Sequence, residues 1–61
     1  MSDAEKAVRA HPWFRRLGES DGRYFVLYKD ADSFPAIVWH ADKDIAFQMA
    51  LENILRHQLR L

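Results

Sequence analysis

An α+β fold is predicted, a small single domain over residues 1–61 in the order α-β-β-β-α, on three observations. A short capped segment with helical periodicity opens the chain. Three β-prone runs separated by turn chemistry follow, and a long amphipathic segment closes it.

Ser2-Asp3-Ala4-Glu5 has the form of a capping box, in which the Ser2 hydroxyl accepts from the Glu5 amide and Glu5 reaches back. Ala4, Ala7 and Val8 then recur at helical spacing as the expected docking face, and Glu5 and Arg9 stand at i,i+4. Pro12 disfavours helix at His11, so the segment should stop near Ala10. Such a helix has about two turns and needs tertiary support.

Residues 13–17 read as a short extended segment. It leads into Gly18-Glu19-Ser20-Asp21-Gly22, where two glycines and an Asp-Gly pair supply the positive φ that hairpin turns require. Residues 23–29 give the clearest strand, because Tyr24 to Tyr28 is an unbroken run of aromatic, branched and long apolar residues. Both alternating faces of that run are apolar, which suits a central strand. Asp30-Ala31-Asp32-Ser33 is a second turn signal. Phe34 and Pro35 lead into Ala36-Ile37-Val38-Trp39-His40, with Pro35 confined to the strand's start because it cannot donate to a ladder. The three runs form an antiparallel meander.

Asp42 is placed to cap the long C-terminal helix, and Asp44 suits its positive end. Arg56, His57 and Arg60 suit the other end. At about 100° per residue, Ala46, Phe47, Ala50, Leu51, Ile54 and Leu55 share a face that should pack on the sheet. Gln48, Glu52, Asn53, Arg56 and Arg60 face away. Ile45, Met49 and Leu59 project among these polar residues and form a candidate strip for self-association.

The length sets a limit on the core. A chain of 61 residues buries only about 60 per cent of the surface its unfolded form exposes, so small folds lean on disulfides, metals or partner subunits. With no cysteine, disulfides and thiolate zinc sites are excluded, and a second copy is one of the few supports left. The longest mostly apolar run, residues 34–39, falls far short of the roughly 20 residues that span a bilayer. No basic segment followed by an apolar stretch opens the chain, so a soluble, cytoplasmic protein is expected.

The catalytic inventory is thin. The three serines lie at a cap or in turns, and no nucleophile elbow or glycine-rich phosphate loop is present. No histidine pair has metal-ligand spacing. His40 with Asp42 and Asp44 is a cluster of ligand type, but it reads as a strand end followed by a cap. Asp30 and Asp32 open like a calcium loop without its glycine and terminal glutamate. A non-enzyme without metal or cofactor is expected.

The charge pattern is more telling than the total. Nine basic residues balance nine acidic ones, which argues against affinity built mainly on phosphate neutralisation. Residues 9–28 nevertheless carry four arginines against Glu19 and Asp21, a net of +2, and residues 29–44 carry two lysines against four aspartates, a net of −2. Arg9, His11, Trp13, Phe14, Arg15, Arg16, Arg23 and Tyr24 interleave basic and aromatic side chains around the first hairpin. Trp13, Arg15, Arg16 and Arg23 are the candidate partner-binding residues, since tryptophan and arginine are enriched where interfaces hold their energy.

The element order, together with Lys43-Asp44-Ile45-Ala46-Phe47-Gln48-Met49-Ala50-Leu51, resembles the second-helix start of double-stranded RNA-binding domains. That family opens the helix with several lysines, whereas Asp42 and Asp44 flank a single Lys43 here. Residues 14–60 are also similar in order to the sheet-reading DNA-binding modules of some plant transcription factors and phage integrases. That resemblance implies Arg15, Arg16, Arg23 and Trp39 as analogues of the reading residues. Order alone does not fix function. The expectation is a small accessory or inhibitor protein, phage or mobile-element encoded on size alone, that docks on and occludes a larger protein. Homodimerisation is a second expectation. Nucleic-acid binding through the sheet is the alternative.

Overall fold

The computed structural model describes residues 1–29 and 35–59. Helix α1 covers Asp3–Ala10, strands β1, β2 and β3 cover Phe14–Ser20, Arg23–Tyr28 and Ala36–His40, and helix α2 covers Lys43–Leu59. The expected α-β-β-β-α order is present. The strands form one open antiparallel sheet in the order β1-β2-β3. The expected turn at Asp30–Ser33, together with Phe34 and Arg60, lies outside the described residues.

The first hairpin closes more tightly than the two glycines suggested. β1 runs on through Gly18 and Glu19 to Ser20, which pairs with Arg23. Only Asp21 and Gly22 turn, at φ 53° and 74°. Two successive positive φ values make a primed turn whose twist matches the flanking strands, and Asp-Gly is the sequence that tolerates it.

A bulge decides how β1 sits. Phe14 pairs with Tyr28 and Arg16 with Leu27, leaving Arg15 as the extra residue. In an unbroken strand Phe14 and Leu17 would point to opposite faces. The bulge lets both face the helices, and the Arg15 guanidinium folds back to donate to the Pro12 and Phe14 carbonyl oxygens at 2.9 and 3.2 Å.

Both helices lie on one face of the sheet. Val8, Val26, Tyr28, Val38, Ala46, Phe47, Ala50 and Ile54 form the buried core, with Trp13, Phe14, Leu17, Tyr24 and Leu51 packed around it. Ala46 and Ala50 let α2 approach closely, and Phe47 fills the space between, its ring 6.4 Å from that of Phe14. Asp42 is the α2 cap as expected, its Oδ1 accepting from the Asp44 and Ile45 amides at 2.9 and 3.2 Å. Leu55 was expected on the packed face but is half exposed. It lies about 100° around the helix from Ile54, beyond the flank of a sheet only two strand spacings, ~10 Å, wide.

α1 is rotated from its expected setting. Val8 is buried and Ala4 half-buried, but Ala7 is exposed and Glu5 takes its place inside. The Ser2 hydroxyl accepts from the Glu5 amide at 3.1 Å, so half of the capping box forms. The Glu5 carboxylate does not reach back. Its Oε2 accepts from Arg9 Nε at 2.8 Å, and its Oε1 lies 3.7 Å from Lys43 Nζ at the start of α2. The carboxylate thus links α1 to α2, an arrangement that the rotation of α1 makes possible. Among the described residues no helix is long and apolar enough to cross a membrane.

Candidate functional site: the open face of the sheet

Alternation along β2 sends Tyr24, Val26 and Tyr28 toward the helices and Arg23, Phe25 and Leu27 to the other side. Register places Arg16 and Gly18 of β1, and Ile37 and Trp39 of β3, on that same outer face. No described element covers it. Ile37 is 49% exposed and Trp39 44%.

The centre of the face is an aromatic stack held by one small residue. Phe25 lies across Gly18 so closely that a β-carbon there would stand 2.1 Å from the ring. The Phe25 ring lies 5.0 Å from that of Trp39, tilted by 46°. The Arg16 guanidinium sits 5.5 Å from the centre of the Phe25 ring, within cation–π range. Arg23 joins at the hairpin end, where Ser20, Asp21, Arg23 and Trp39 line a shallow depression of about 390 Å³. The arrangement offers an apolar centre of Phe25, Leu27, Ile37 and Trp39 with two guanidinium groups beside it.

The basic–aromatic stretch around the first hairpin therefore divides. Arg16 and Arg23 reach the outer face. Arg15 is exposed, but its guanidinium is occupied by local carbonyl oxygens. Trp13 is not brought to the arginines: it is half-buried, edge-on to His11 and His57 at 5.1 and 6.1 Å between ring centres. Arg9 sits over Phe14 and Phe47 at 5.7 and 5.6 Å. Phe25, Leu27 and Ile37 were missed as site residues. The signal was present, since both faces of the β2 run are apolar and only one can meet the helices.

Two histidines and Glu5 serve the fold. His40 Nδ1 accepts from the Asp42 amide at 2.9 Å, and His11 Nδ1 accepts from the Trp13 amide at 3.1 Å. Each imidazole closes a turn two residues long. Among the described residues no group of three or more histidines, aspartates or glutamates is placed to hold a metal ion. The hydrogen bond from Arg9 is the main cause holding the Glu5 carboxyl below its ordinary value. Lys43 adds to it, while burial opposes both. Ile45, Met49 and Leu59 are exposed on the side of α2 away from the core, as their spacing implied.

No protein-family model matches the chain, no curated protein matches it, and no solved structure matches it.

Proposed function

We propose that the protein is a small non-enzymatic binding module that docks the outer face of its sheet on a larger protein and occludes the surface it covers. One observation carries the reading: no described element covers a sheet face on which Ile37 and Trp39 are half exposed, while both helices crowd the other side. Exposed apolar residues grouped on one surface, with arginine and tryptophan among them, have the anatomy of an interface centre and its rim. The thin catalytic inventory and the structural use of His11, His40 and Asp42 support a role without chemistry.

The test compares the unmodified protein with Arg16→Ala/Trp39→Ala as immobilised bait against lysate of the source cells. The expected result is a protein retained by the first and lost by the second, with melting curves separated by about 1 kcal/mol or less. Equal retention by both would remove the outer face from the mechanism.

A second reading rests on the Arg16–Phe25 contact and on Arg23 beside Trp39. Aromatic side chains next to guanidinium groups on a sheet can stack bases and grip phosphates. It requires affinity for single- or double-stranded nucleic acid that falls steeply as salt rises. A titration at low salt with no shift on either kind of strand ends it.

A further inference from the structure

We propose that the free edge of β3 pairs with β3 of a second copy, antiparallel about a two-fold axis at Val38, joining two three-stranded sheets into one of six strands. This stands apart from the docking reading, because it concerns this protein alone.

The sheet has two edges, and they are treated differently. β1 carries the bulge between Phe14 and Arg16 and three charged residues, Arg15, Arg16 and Glu19. Bulges and charges are the devices that keep an edge from accepting another strand. β3 has neither. Its five residues pair with β2 without a break, and none of them is lysine, arginine, aspartate or glutamate. Pro35 stands just before the strand, so every residue within it retains its amide donor. Among the described elements β3 meets only β2 and α2. Its outer edge thus carries no Lys, Arg, Asp or Glu and, among the described elements, no paired strand.

Self-pairing is matched on both faces. Centred on Val38, it sets Ile37 of each copy opposite Trp39 of the other on the outer face, and Ala36 opposite His40 on the helix face. Aromatic–branched cross-strand pairs of this kind are the favourable unit of sheet stability. The alternative dimer, outer face on outer face, brings two sheets within ~10 Å and gathers Arg16 and Arg23 of both copies in one layer. No strand residue of that face supplies a carboxylate, and Asp21 in the hairpin turn sets one carboxylate against the two guanidinium groups of each copy. Edge pairing separates the two β2 strands by three strand spacings, ~14 Å, which exceeds the screening length of ~8 Å at physiological salt. Charge therefore selects the edge over the face. It also selects a second copy over a charged peptide, since β3 itself has nothing to attract one. A chain this short gains the missing support by extending its sheet.

Sedimentation velocity over a concentration series should show the mass rising from one copy toward two. Ile37→Lys should sediment as one copy throughout, with its circular dichroism retained, while Met49→Asp on the far side of α2 should still dimerise. Residue-resolved amide exchange of the unmodified protein should slow along β3, and not along β1, as concentration rises. That measurement decides even if Ile37→Lys does not fold. A single copy at every concentration overturns the proposal. So does a dimer that survives Ile37→Lys, and so does one whose β3 amides exchange independently of concentration.

Discussion

Tyr24, Val26 and Tyr28 alternate along β2 with Phe25 and Leu27, and the two sets differ little in apolar character. The first set lies beneath two helices, whereas the second faces away from both. On the inner face the aromatic ring of Phe47 is enclosed, with neighbours on every side. On the outer face Phe25 has Gly18 beneath it, Trp39 beside it and Arg16 above it. The difference is one of supply: both described helices pack on one side of the sheet. A face that is apolar without being needed for the core is the feature on which the proposed docking rests.

The comparison can be broken most forcefully from the inside. Phe47→Ala removes a fully enclosed ring and should cost ~3–5 kcal/mol. That is a large share of the ~5–15 kcal/mol typical of a native domain. Urea denaturation measures it, and a loss under about 1 kcal/mol would show that the inner face is not the core.

The link between the helices gives a second effect, read along the pH axis. Glu5 is held below its ordinary value of 4.5, so the folded state binds its proton less readily than the unfolded chain does. Its contribution is complete above pH 4.5 and is lost as pH falls through the lower folded value. Glu5→Gln should remove this acid-sensitive component and flatten the stability profile there, as thermal melts between neutral and acid pH would reveal. An unchanged acid slope would assign it to other carboxylates.

Gly18→Ala sharpens the outer side. The added carbon must displace the Phe25 ring, a tip free to swing outward, so the cost should be ~1–2 kcal/mol, at the low end for overpacking. Because Trp39 lies against Phe25, tryptophan emission should change together with the melt. Emission identical to that of the unmodified protein would mean the stack does not exist in solution. The smallest effect is expected from Arg15→Ala/Arg16→Ala. Stability should shift by only about 0.5 kcal/mol, while partner retention drops. A drop seen with Arg15→Ala alone would contradict the geometry, since the Arg15 guanidinium is bound to its own loop.

Much of the fold follows from local chemistry, and those features were legible in order along the chain. The Asp42 cap, the Asp21-Gly22 turn, the stop at Ala10 and the β3 limits each depend on residues within a few positions of one another. The exposed strip of Ile45, Met49 and Leu59 was legible for the same reason, because helical spacing places side chains around an axis. Trp13 and the arginines were harder. Their nearness in sequence suggested one patch, but a bulge at Arg15 and a turn at Pro12 send them to different sides.

By itself the sequence determined the five elements, their order and most of the helix residues that form the core, since capping, turn and periodicity signals are local. Ala7 and Leu55 were expected inside but are exposed. Only the tertiary structure decided the rotation of α1 that buries Glu5 against Lys43, the bulge that turns both Phe14 and Leu17 inward, and the open face bearing Phe25, Ile37 and Trp39. Each of these depends on what lies across from a residue in space. Burial is a property of pairs of elements, and no single stretch of chain contains both members.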